Sequence, residues 1–287
     1  MAEAKKYVTP ASFRQGLEER LKTLSRSDGI DIMRLRRQVA FDRLLARLFH
    51  ATDTPWVLKG GYAMELRIDR ARTTKDLDLG LKVKPGRDLL ELVQQQAAKN
   101  LDDFFTFIIG ETMMELDAAP YGGERYPVEA RMDGRTFIKL HLDIGIGDDG
   151  LEPNETLQGR DWLAFAGLPA PVFTATPAAQ QFAEKLHAYT LIRKTPNTRV
   201  KDLVDMVLLI NLGTLDRTRV NEGLRKTFAR RNTHSLPDRL EPPSPAWERP
   251  FRALAEECGL DRDITQAFAI LTAFYLGDGP GKGIFDA

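Results

Sequence analysis

The chain is poor in several things, and each shortage excludes something. It has a single cysteine, Cys258, among 287 residues, so no internal disulfide can form, which fits a reducing cytoplasm. Cys258 itself reads as an ordinary helix residue rather than a nucleophile. There is no net charge, because 41 Lys and Arg offset 41 Asp and Glu. That balance removes any global polyanion-binding signature and leaves nucleic-acid contact to a local patch. No apolar run approaches the ~18 residues of a membrane span. The start, Met1-Ala2-Glu3-Ala4-Lys5-Lys6, lacks the apolar stretch of a signal peptide. Internal repeats and low-complexity tracts are also missing. What remains is ordinary for a globular protein, with 43% hydrophobic and 29% charged residues, long enough for one large domain or two of common size.

Against that background one stretch stands out, Thr74-Lys75-Asp76-Leu77-Asp78, preceded by Lys59-Gly60-Gly61. Leu77, Leu79, Leu81 and Val83 alternate with polar residues, which predicts a strand over residues 76–84 with the leucines on the core face. Asp76 and Asp78 then share the other face. Two neighbouring carboxylates repel, so a fold that keeps both ionised supplies a cation, and oxygen-only ligation suits Mg²⁺ or Mn²⁺. The apolar run Trp56-Val57-Leu58 predicts a short strand that feeds a Gly-Gly turn. A short helix follows over Tyr62–Arg67. Glycines let backbone N–H groups approach a phosphate, and a helix N-terminus favours anions. Phosphate cradle plus metal carboxylates reads as nucleotidyl transfer. An isolated Asp-x-Asp is more often a solvated strand edge; the surroundings favour the metal.

The rest of the chain reads as a mixed region followed by helices. Helices are expected over residues 9–26, started by Thr9-Pro10 or Ser12, and over residues 31–50. In the second, Arg34, Arg36, Arg37, Arg43 and Arg47 read as a solvated face. A helix suits residues 87–99, after a Pro85-Gly86 turn. Strands are expected over Phe104–Ile109, Tyr126–Met132 and Phe137–Gly145, the last two joined by an Asp133-Gly134 hairpin turn. The sheet then ends in a loop through Asp148-Asp149-Gly150 and Pro153. Helices follow over residues 178–193, 199–212, 217–229 and 261–276, the first two separated by Thr195-Pro196-Asn197. Pro237–Pro250 holds five of the 16 prolines and reads as a linker. The glycine-rich tail Gly277–Gly283 is expected to fray.

Three further elements bear on chemistry. A two-metal phosphoryl-transfer site wants a third carboxylate; Asp143, on the polar parity of its strand with His141 and Lys139, is the candidate. Lys185 lies on a helix beside Phe182, Leu186 and Tyr189. It is either a snorkelling surface lysine or a phosphate grip. Arg199, Asp202 and Asp205 follow one another at i+3 on a helical face, as intrahelical ion pairs or as part of a site. Arg217, Arg219, Arg225, Lys226, Arg230 and Arg231 form a local basic patch. It can track a nucleic-acid backbone or simply be solvated.

Taken in order, Gly60-Gly61, Arg72-Thr73-Thr74-Lys75-Asp76-Leu77-Asp78, Glu184-Lys185-Leu186-His187-Ala188 and Arg199-Val200-Lys201-Asp202-Leu203-Val204-Asp205 resemble the AbiEii nucleotidyltransferase toxins of AbiE phage-defence and MenAT toxin–antitoxin modules. The resemblance covers roughly residues 55–210. Gly61 departs from the usual Gly-Ser of nucleotidyltransferases and lacks a hydroxyl for the phosphate; Lys59 is placed to supply that contact. The resemblance implies an α+β fold, a polymerase-β-like mixed sheet flanked by helices with a C-terminal helical domain. The expected division is residues 1–50 as helices packing on the core, 51–170 as the nucleotidyltransferase domain and 171–287 as the helical domain.

The resemblance further implies that Asp76 and Asp78, with Asp143, ligate Mg²⁺ or Mn²⁺. Lys185 would grip the triphosphate of an NTP, and Asp202 or Asp205 would help activate the acceptor hydroxyl. Lys59, Gly60, Gly61, Arg72, Thr74 and Arg199 would contact the nucleotide. The implied acceptor is the tRNA 3′ end, with translation blocked and a cognate antitoxin neutralising the enzyme by binding or by phosphorylation. Thr73 or Thr74 would take that phosphate, whose charge of about −1.5 to −2 would repel the triphosphate. A cytoplasmic monomer is expected. Two alternatives stay open on sequence: nucleotidylation of a protein, and an idle nucleotide- or partner-binding module.

Overall fold

Thr9 caps the first helix, α1 (Pro10–Asp28), by accepting from the Ser12 N–H, and Pro10 takes the first turn, where its missing N–H costs nothing. Gly29 ends it at φ 67, a left-handed C-cap that only glycine adopts without strain. The computed structural model describes residues 7–81, 86, 88–115, 122–147, 150–194 and 197–277. Residues 1–6, the strand end and Pro85 of the expected turn at 82–85, the Asp148-Asp149 loop, Thr195-Pro196 and the tail beyond Gly277 lie outside the described residues. The chain divides into two compact units.

Unit 1 comprises Met1–Tyr62, Thr73–Asp148 and Thr156–Ala175. It holds α1, α2 (Ile32–Leu48), α4 (Leu89–Ala97) and the sheet; helix α3 (Gly60–Arg67) begins in this unit and continues into the other. The strands are β1 (Trp56–Lys59), β2 (Asp76–Leu81), β3 (Phe105–Ile109), β4 (Met114–Glu115), β5 (Gly123–Met132), β6 (Arg135–Ile146), β7 (Glu155–Gln158) and β8 (Val172–Ala175). Their order is β3-β5-β6-β2-β1-β8-β7, with β4 on β5. β2 runs parallel to β6 and β1 parallel to β8, while β1–β2, β3–β5 and β5–β6 are antiparallel. This is a mixed sheet flanked by helices. The expected hairpin is present: Asp133 and Gly134 take φ 54 and 66, the left-handed pair a tight two-residue turn requires. Leu77, Leu79 and Leu81 are buried as the alternation predicts.

Several expectations change. Arg43 and Arg47 are not solvated: both are buried, and Arg47 closes on Asp103 with contacts of 2.9 and 2.6 Å while Arg43 adds one of 2.7 Å. Asp103 in turn accepts from the Phe105 N–H, so this cluster anchors the start of β3. Burial pushes the Asp103 carboxyl up, but the two guanidiniums outweigh it and hold it below the usual range. The Gly-Gly pair is the first turn of α3 rather than a turn before it. Strands β7 and β8 went unforeseen, being four residues each beside glycine and proline.

Unit 2 comprises Ala63–Arg72, Asp149–Glu155 and Thr176–Ala287. A three-segment division at residues 50 and 170 assigns the first two stretches elsewhere. Its helices are α5 (Ala178–Thr190), α6 (Val200–Asn211), α7 (Arg217–Arg231), α8 (Glu248–Cys258) and α9 (Ile264–Leu276). Phe182, Leu186, Leu203, Val207, Leu224, Phe251 and Leu271 lie in one buried cluster. The proline-rich segment is not all linker. Ser244 caps a 3₁₀ turn over Pro245–Trp247, and α8 begins at Glu248 with Pro250 in its first turn, a position proline tolerates. Cys258 is buried at the end of α8. Among the described residues no helix is long and apolar enough to cross a membrane.

Candidate active site

In unit 1 the register brings the predicted acids together. Asp78 on β2 lies directly beside Asp143 on β6, and Asp76 beside His141. Lys59, on the other neighbour of β2, lies opposite Asp78. Burial, then the nearby Asp143 charge, pushes the Asp78 carboxyl up to about 6; Lys59 and a hydrogen bond from the Gly61 N–H pull the other way. The His141 Nδ1 stands 3.2 Å from Asp76 Oδ1.

Sequence reading missed Arg125. It sits on β5 opposite Asp143, and its Nε and Nη2 donate to both Asp143 oxygens at 2.7 and 2.6 Å. Its Nη2 also comes within 3.6 Å of Asp76 Oδ2. The Asp143 bonds, opposed by burial, raise the guanidinium's pKa. The local signal was a strand start: an expected strand beginning at Tyr126 leaves Arg125 off the sheet, whereas β5 begins at Gly123.

The glycines are needed for close approach. Gly60 has φ 63, and a Cβ there would collide with the Asp78 carboxylate; a Cβ at Gly61 would meet Thr74 Oγ1 at 2.5 Å. Thr74 is buried and its hydroxyl donates to the Asp76 carbonyl at 3.2 Å, whereas Thr73 is partly exposed.

The other predicted residues gather in unit 2. The Arg72 Nε and Nη2 donate to Asp205 at 3.0 and 2.9 Å, and the Lys185 Nζ donates to Asp205 Oδ2 at 2.6 Å. Lys185 also lies 3.5 Å from Asp202, which pairs with Arg199 at 3.6 Å. Asp205 is fully buried and Lys185 nearly so. Burial disfavours both charges, yet each outweighs that cost for the other: the Lys185 ammonium is held above its usual range by Asp205 and Asp202, and Asp205 below its own by Lys185 and Arg72. Asp205 is therefore held ionised between Arg72 and Lys185.

The basic stretch of α7 is only partly a patch. Arg217 donates to the Phe274 carbonyl at 2.7 Å, Arg219 to the Glu152 carbonyl at 2.7 Å, and Lys226 pairs with Glu222 at 3.0 Å. Arg225 stays exposed.

Among the described residues no three His, Cys, Asp or Glu side chains form a ready cage for a metal ion. The unit 1 face nevertheless fits a hard divalent cation, because its donors are the carboxylate oxygens of acids crowded on adjacent strands. Asp143, expected as a third ligand, gives both oxygens to Arg125.

Residues 43–271 match the family described as Nucleotidyl transferase AbiEii toxin, Type IV TA system. The fold is similar to that of MenT4, a nucleotidyltransferase toxin of Mycobacterium tuberculosis H37Rv, with a TM-score of 0.53 at 18% identity, covering 93% of this chain and 94% of that one. JHP933 from Helicobacter pylori aligns with a TM-score of 0.49 at 15% identity over 85% of this chain and 91% of its own. A comparison with curated proteins finds no match.

Proposed function

The chain belongs to the AbiEii nucleotidyltransferase toxins of type IV toxin–antitoxin systems, and on that premise we propose that it transfers a nucleoside monophosphate from an NTP to the 3′ end of tRNA, releasing pyrophosphate and blocking translation. The observation that carries this reading is the face of unit 1 where Asp76, Asp78 and Asp143 meet on adjacent parallel strands. Asp76 and Asp78 would hold Mg²⁺ or Mn²⁺, which when bound neutralises triphosphate charge. The chain's own residues do the positioning that dominates this chemistry. Lys59 lies opposite Asp78 and supplies a cation beside the carboxylate face. Gly60 and Gly61 keep the start of α3 free of side chains against Asp78 and Thr74.

In the same reading, Lys185 and Arg72 serve the phosphates as cations that Asp205 holds in place, and Asp202 keeps Arg199 beside them. With Asp205 charged and fully engaged, acceptor activation falls to Asp202. The exposed Arg225 on α7 contributes to tRNA backbone contact. The family implies a cognate antitoxin; if it acts by phosphorylation, Thr73 is the accessible acceptor, since Thr74 is buried. The protein acts as a cytoplasmic monomer.

Incubation with each of the four labelled NTPs singly, over total tRNA and over a tRNA-free protein pool, tests the reading. Metal-dependent label on the tRNA 3′ end supports it. Label only on protein replaces the acceptor, and no label on either leaves a binding module.

A further inference from the structure

Arg125 stands in an unusual place. Asp78 and Asp143 are direct neighbours across β2 and β6, with Asp76 two residues along the same face, so three acids crowd one side of the sheet. Arg125 reaches over from β5 and binds both oxygens of Asp143 while approaching Asp76 to 3.6 Å. Its side chain keeps 27% of its exposure, so it is not a core residue held by packing. Bidentate guanidinium–carboxylate pairs are the strong, directional kind. Here the pair places a positive charge among the carboxylates that a divalent cation would neutralise.

We propose that Arg125 is a built-in counter-cation for this face, which an arriving divalent ion has to displace, so that Arg125 sets how tightly the site binds metal. The inference rests on the reading that Asp76 and Asp78 hold a metal. It goes further in naming what occupies the carboxylates beforehand. Without metal, the guanidinium relieves repulsion between the acids and keeps β5, β6 and β2 in register. With metal, the same positive charge opposes the ion, and release of the Asp143 oxygens makes a third carboxylate available. Metal affinity is thereby lowered, and site assembly is coupled to the ion's arrival. An ordinary cross-strand ion pair would do something else: its loss would loosen the sheet and weaken metal binding together.

The test is Mn²⁺ binding to the metal-free full-length protein, read by electron paramagnetic resonance, with the melting temperature followed in parallel. A neighbouring cation lowers a carboxylate's proton affinity by about one to three powers of ten, and the same repulsion acts on a metal ion, so Arg125→Gln is expected to bind Mn²⁺ at least about tenfold more tightly than the unaltered protein. Metal-free Arg125→Gln should melt lower, and saturating Mn²⁺ should raise its melting temperature by more than it raises that of the unaltered protein. Arg125→Lys, which keeps the charge but not the two-point grip, should fall between and carries the test if Arg125→Gln does not fold. Unchanged or weaker Mn²⁺ affinity in the folded variants, with Asp78-dependent binding intact in the unaltered protein, overturns the inference alone. If Asp78→Asn binds Mn²⁺ as well as the unaltered protein, or neither binds, the metal reading fails and the inference falls with it.

Discussion

Asp78 in unit 1 and Asp205 in unit 2 are both aspartates at the centre of a charged cluster, and burial pushes both toward the neutral acid. They end on opposite sides. Asp205 has Lys185 and a two-point Arg72 on its oxygens and stays below the usual carboxylate range. Asp78 has another acid as its strand neighbour and rises to about 6. One cluster pairs its aspartate directly with cations from within the chain. The other crowds Asp76, Asp78 and Asp143 on two adjacent strands, and its nearby cations, Lys59 and Arg125, still leave Asp78 raised. The same residue type is thus held ionised by its partners in one unit and raised toward the neutral acid in the other. What differs is where the cations are engaged: Lys185 and Arg72 donate to Asp205 itself, whereas Arg125 donates to the neighbouring Asp143.

Substitution can break that comparison from either end. The largest effect is expected at Asp78. Asp78→Asn removes a proposed metal ligand, and because residues standing behind metal ligands already cost about 10–100-fold, transfer should fall by more than about a hundredfold. Thermal stability should hold or rise, since an ill-solvated charge is removed. Kinetics together with a melt check both halves. Asp205→Ala should do the reverse in stability. It takes the Asp205 carboxylate from Arg72 and from Lys185, which keeps Asp202 at 3.5 Å, a loss of roughly 3–5 kcal/mol, readable by urea unfolding.

A smaller effect sharpens the role of burial alone. Asp42 is fully buried; it accepts from the Tyr62 hydroxyl at 2.5 Å and the Arg160 N–H at 2.8 Å, and desolvation still pushes it up to about 7. A carboxyl raised on folding binds its proton more tightly in the native state. Its contribution is complete below the unfolded value near 3.8 and is lost as pH rises to about 7. Asp42→Asn should therefore flatten part of the stability decline from pH 4 to 7, on the order of a few kcal/mol. His187 in unit 2 works with the opposite sign. Burial lowers it to about 4, so its contribution is present above 6.5 and lost as pH falls. The smallest effect is expected at Arg225→Glu, with tRNA modification reduced severalfold, more strongly at low salt, and NTP use unchanged.

Much of this was legible in sequence where the determinants are local. The leucine alternation gave β2 and the shared face of Asp76 and Asp78; Thr9-Pro10 gave the start of α1; Asp133-Gly134 gave the hairpin. What escaped depends on register or on distant partners. Arg125 matters because β5 places it opposite Asp143, which no pattern around residue 125 announces. Arg72 and Asp205 meet across 133 positions of chain. Arg43 and Arg47 looked solvated because their partner, Asp103, lies 60 and 56 positions away along the chain. Pro250 signalled a linker, although proline in a first helical turn is equally at home.

The most direct measurement is Mg²⁺-dependent incorporation of labelled NMP into tRNA by the unaltered protein and by Asp78→Asn, both confirmed as folded. The expected result is 3′-end label that rises with Mg²⁺ in the unaltered protein and is lost in the variant. Equal incorporation by the two proteins at saturating Mg²⁺ would contradict an active site on the carboxylate face of unit 1.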